Sequence, residues 1–73
     1  MLRVKCIKES SYIFVFKFDN YYTANSARVN DENVLVLNEG IFQIVLKHDE
    51  ITGTWKNSRE DVEFVFIGEA EHY

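Results

Sequence analysis

The sequence predicts an all-β, mainly antiparallel fold: a small meander barrel or two-layer sandwich of about six short strands. Three observations carry this expectation. Short runs of alternating apolar and polar residues fill most of the 73 positions, as half-buried strands require. Polar clusters punctuate those runs at close intervals, which suits hairpin turns. Proline is absent, so no strand loses a ladder donor, and no segment carries the long helical stripe of a βαβ crossover.

Leu2, Val4 and Cys6 alternate with Arg3 and Lys5, giving a first strand whose thiol points into the core. Lys8-Glu9-Ser10-Ser11 turns the chain into the run Tyr12-Ile13-Phe14-Val15-Phe16-Lys17-Phe18. As a strand, that run puts Tyr12, Phe14, Phe16 and Phe18 on one face and Ile13 and Val15 on the other. Both faces are then apolar, where a strand with one wet face carries polar residues. Asp19-Asn20 breaks the run.

Tyr21-Tyr22-Thr23 favours a short strand, and the small polar residues after it allow one helical turn near residues 23–29. Asn30–Asn33 reads as a loop. Val34-Leu35-Val36-Leu37 is apolar on both faces, a buried strand. Asn38-Glu39-Gly40 forms a hairpin with Gly40 at positive φ. Phe42, Ile44 and Leu46 define the next strand, and His48-Asp49-Glu50 the next bend. Ile51, Gly53 and Trp55 then share a face, with the indole packed over a glycine gap. Asn57–Asp61 connects to a last strand, Val62–Ile67, which Gly68 ends. Residues 1–68 thus make one β domain, and 69–73 an acidic, flexible tail.

A chain of this size buries only about 60% of its unfolded surface. One cysteine offers no intramolecular disulfide, and no cysteine–histidine cluster offers a zinc staple. Dense packing of the eleven aromatic residues, or association with another molecule, must supply the difference. The lone thiol, the missing signal pattern and the lack of about 18 continuous apolar residues predict a cytoplasmic protein, the cytoplasm of an infected host included.

Net charge is −4, divided as +3 over residues 1–29 and −7 over residues 30–73. Arg3, Lys5, Lys8 and Lys17 with Tyr21 and Tyr22 outline a basic, aromatic face of the kind that binds single-stranded nucleic acid. Asp49, Glu50, Glu60, Asp61 and Glu63 outline an acidic patch suited to a basic partner. His48-Asp49-Glu50 makes no metal site, because consecutive side chains diverge. No nucleophile elbow, Gly-rich phosphate loop or zinc-protease motif occurs. The expectation is therefore no catalysis, no cofactor and no metal.

What remains is a non-catalytic protein-binding module that docks on and blocks a partner, physically akin to small inhibitors of phages and mobile elements or to immunity proteins. Its expected interface is Ile13, Val15, Tyr21, Tyr22, Val65 and Ile67, and the same surplus of apolar rows predicts a homodimer. A small nucleic-acid-binding barrel is the first alternative, and a structural subunit of a larger assembly the second.

Overall fold

The computed structural model describes residues 1–69, which form six antiparallel strands closed into a barrel. The strands are β1 (Leu2–Lys8), β2 (Tyr21–Val29), β3 (Glu32–Glu39), β4 (Phe42–Asp49), β5 (Thr54–Asn57) and β6 (Val62–Glu69). Each pairs with its neighbour in sequence, and β6 returns to pair with β1. The meander barrel is therefore the architecture adopted, and closure leaves no free sheet edge. Among the described residues no helix is long and apolar enough to cross a membrane.

Cross-strand partners share a face. The chain Leu2–Ala24–Leu37–Ile44 and the chain Ser26–Leu35–Leu46 trace the inward side around β1 to β4. Val4, Cys6, Ala24, Leu35, Leu37, Ile44, Leu46, Val62 and Phe64 are buried inside. The in-phase reading of Leu2, Val4 and Cys6 agrees with this core. Cys6 is buried, and desolvation raises its thiol pKa above the ordinary value.

Four turns follow directly from local chemistry. Asn30 and Asp31, with φ of 51° and 63°, join β2 to β3 as a two-residue hairpin flanked by the pair Val29–Glu32. Two consecutive left-handed residues match the twist of the strands, and Asn and Asp tolerate that region best after Gly. Gly40 has the expected positive φ, 60°, but the turn it opens is Gly40-Ile41, with Asn38 and Glu39 kept in β3 by their pairing with Gln43 and Phe42. The last two turns share one design. Asp49 and Gly53 bracket the first, with the Asp49 carboxylate accepting the Ile51 N–H at 2.9 Å. Asn57 and Asp61 bracket the second, with the Asn57 side-chain oxygen accepting the Glu60 N–H at 2.9 Å.

Several expectations fail here. Residues 23–29 form no helical turn; they lie within β2, because β1 and β3 need a partner between them and their ladders outweigh weak propensity. Ile51 is not inward but almost fully exposed in the β4–β5 turn, since β5 starts only at Thr54. No indole lies over Gly53: a Cβ there would meet nothing within 4 Å, and the residue serves its turn at φ 73°. Gly68 does not end a strand but lies inside β6, opposite Arg3 at a bulge that leaves Ile67 between two ladder pairs. Of the expected tail, Glu69 is the last residue of β6, and 70–73 lie outside the described residues.

Candidate functional site

The largest departure from the sequence reading defines the candidate site. Residues 12–18 are not a strand; they belong to the long connection between β1 and β2, which closes one end of the barrel. Phe16 is fully buried there, as a plug. Its ring stands edge-on to Tyr22 at 5.1 Å and to Phe64 at 5.5 Å, and Tyr22 meets Phe64 at 6.0 Å. Three mutually perpendicular rings place positive edges on negative faces, worth about 0.5–1.5 kcal/mol per pair beyond burial.

The backbone around the plug is pinned by side chains rather than by a ladder. The buried Ser10 hydroxyl accepts the N–H groups of Tyr12 and Ile13 at 2.9 and 3.1 Å. The Tyr22 hydroxyl accepts the Lys17 N–H at 2.8 Å and donates to the Val15 carbonyl at 3.5 Å. A Glu9 carboxylate oxygen accepts the Phe18 N–H at 3.1 Å. Asp19, at φ 70°, donates its N–H to the Cys6 carbonyl at 2.8 Å, which zips the loop's end back onto β1. The Lys5 ammonium sits 2.8 Å from the Asp19 carboxylate, and that hydrogen bond raises the lysine pKa.

Pinning Phe16 inside forces its neighbours apart. Ile13 and Val15 turn inward, half-buried and packed against the core, instead of forming the expected outward row. Tyr12, Phe14 and Phe18 take the opposite side and are 71%, 68% and 59% exposed. Ile41, in the β3–β4 turn at the same end of the barrel, is 98% exposed. Three large aromatic groups exposed within one seven-residue loop are the notable feature of this end. The Lys17 ammonium lies 5.6 Å from the Phe14 ring centre, adding a cation beside the patch.

The other expected interface residues are only partly brought together. Tyr22 is committed to the plug. Tyr21 is exposed on the outer barrel wall beneath Arg3, whose guanidinium carbon lies 4.4 Å from the ring centre. Val65 is half-buried, and Ile67 is half-exposed at the β6 bulge. Tyr21 and Val65 both pair with Lys5 and share the outer wall, whereas Ile13, Val15 and Tyr22 pack against the core, so the six residues do not form one surface.

The acidic patch is interleaved with lysines. Glu60 and Asp61 lie in the β5–β6 turn and Glu50 in the β4–β5 turn, while Asp49 and Glu63 come together between them across the short β5. Lys56 stands between Asp49, at 3.1 Å, and Glu63, at 3.7 Å; Lys8 holds Asp61 at 2.8 Å. These pairings lower the Asp49 pKa, chiefly through the hydrogen bond to Lys56, and raise the pKa values of Lys56 and Lys8. Three of the five acids thus carry a lysine, which blunts the local field. His48 turns away from Asp49, its ring 4.9 Å from that of Trp55. Among the described residues no three His, Cys, Asp or Glu side chains converge as a metal ion would need.

The exposed aromatic triad left a trace in the sequence: an alternating run too apolar for any strand with one wet face. Alternation alone does not tell which residue goes inside. Comparison with protein-family models, curated proteins and solved structures finds no match to this chain.

Proposed function

We propose that the protein is a non-catalytic binding module that docks on an apolar recess of a partner protein through the aromatic cap. The observation that carries this reading is the exposure of Tyr12, Phe14 and Phe18 on a loop whose backbone is already fixed by Ser10, Tyr22 and Glu9. Aromatic side chains have few rotatable bonds, and a pinned backbone has little freedom left to lose on binding. Such residues dominate binding energy when a partner excludes water around them. Blocking a partner surface, as small inhibitors do, needs no more than this.

The test compares the natural chain with a variant carrying Tyr12→Ser, Phe14→Ser and Phe18→Ser in capture from the native host, followed by affinity measurement on the purified partner. Loss of binding by at least about 2 kcal/mol, with the melting transition preserved, is the expected result. Equal binding by both chains contradicts the proposal. If the partner is a second copy, sedimentation shows a concentration-dependent dimer that the variant lacks.

A second reading rests on the cation–aromatic pairs Arg3–Tyr21 and Lys17–Phe14. Flat rings with adjacent cations also serve as stacking platforms for single-stranded nucleic acid. Oligonucleotide affinity that falls steeply with added salt supports that reading, and its absence leaves the protein partner.

A further inference from the structure

The end of the barrel opposite the cap is open. Residues of all six strands line a cleft of about 680 Å³ there, among them Leu2, Ser26, Leu35, His48, Trp55 and Phe66. Ser26 leaves room where a larger inward side chain would fill the barrel. Beside this cleft lies a smaller recess of about 320 Å³, lined by Glu32, Asn33, His48, Glu50 and Trp55. Asn33, His48 and Trp55 border both spaces, so the smaller recess adjoins the cleft.

We propose that this open mouth binds a small organic cation, an ammonium group carried on an aryl or alkyl body. The volume of the cleft falls within the range of small-molecule sites. Leu2, Leu35 and Phe66 offer the body an apolar wall, half-exposed in the case of Phe66, so that a ligand removes area from water on both sides. The charged end then meets the indole of Trp55 and the carboxylates of Glu32 and Glu50, a combination that attracts ammonium groups. Glu32 already faces the exposed Lys47 at 3.7 Å, a loose surface pair that an incoming ammonium competes with. Among the described residues neither space is lined by lysine or arginine. The tilted His48–Trp55 contact holds the indole at the boundary between the apolar and acidic parts.

Trp55 is the single tryptophan of the chain, so its emission reports on the site directly. The natural protein is titrated with 4-phenylbutylamine, 4-phenylbutanol and 4-phenylbutanoate, which share a body and differ in charge. The amine gives a saturable change in Trp55 emission, the alcohol binds about two- to fivefold more weakly, and the carboxylate gives no saturation. Glu50→Gln, in an exposed turn, removes most of the amine's advantage while leaving alcohol binding unchanged. Amide shifts on binding map to Leu2, Ser26, Asn33 and Trp55. The proposal is overturned by no saturation with the amine, by equal affinity for all three probes, or by shifts confined to Tyr12–Phe18. Because the cap lies at the other end, each of these results leaves the docking proposal standing on its own test.

Discussion

The two ends of the barrel are built from the same six strands but finished differently. At one end a twelve-residue connection between β1 and β2 folds back and drives Phe16 between Tyr22 and Phe64. At the other, a two-residue turn and a four-residue turn span the strand ends and leave Trp55 and Phe66 beside an open cleft. Short turns satisfy the backbone and set register, but their side chains stay outside, as Ile51 does in the four-residue turn. The difference teaches that closing a small barrel laterally does not fill it axially. An end is sealed only where the chain spends enough residues to insert a large side chain and to satisfy the loop's own N–H groups.

The sharpest way to break this contrast is to remove one ring from each end. Phe16→Ala leaves a buried void among aromatic edges and costs about 3–5 kcal/mol, enough to unfold much of the population of so small a domain. Phe66→Ala, at the half-exposed mouth, costs only about 1 kcal/mol, because less area returns to water. Chemical denaturation of both variants measures the difference; equal losses show that the two ends are packed alike.

Tyr22→Phe tests whether the plug is held by its loop bonds as well as by packing. The ring remains, but the Lys17 N–H and Val15 carbonyl lose their partner, for a loss of about 0.5–1.5 kcal/mol. No change in stability shows that water replaces the hydroxyl at no cost. At the mouth end, Asp31→Gly relieves a left-handed conformation within the Asn30-Asp31 hairpin. It stabilises the fold by roughly 0.5 kcal/mol, a rise in Tm of about 2–4 °C by calorimetry. A fall in Tm places the strain elsewhere.

Legibility in the sequence tracks how local the deciding force is. The strands β1, β4 and β6 announced themselves because each has one clean inward row: Leu2, Val4 and Cys6; Ile44 and Leu46; Val62 and Phe64. Gly40 and the left-handed turn positions also follow from single-residue chemistry. The strand β2 was hidden because Asn25, Ser26 and Ala27 have little strand preference, and only the neighbours β1 and β3 hold them extended.

The loop over 12–18 was hidden for the opposite reason. Its alternation imitates a strand, yet three of its four aligned aromatics face water and one fills the barrel end. That choice depends on Tyr22 and Phe64, which no local pattern reveals. The surplus of apolar rows was nevertheless visible, and it does end on the surface, at Tyr12, Phe14 and Phe18 rather than at Ile13 and Val15.

The central claim is that the cap is a fixed platform: one aromatic locks the loop so that three others stand ready outside. Amide hydrogen exchange of Tyr12, Ile13, Lys17 and Phe18 reads this most directly, because each N–H is donated to a side chain of the pinning set. The account predicts protection well above that of a free loop, lost together with the core in Phe16→Ala. Exchange at the rate of an unstructured chain in the natural protein would contradict it.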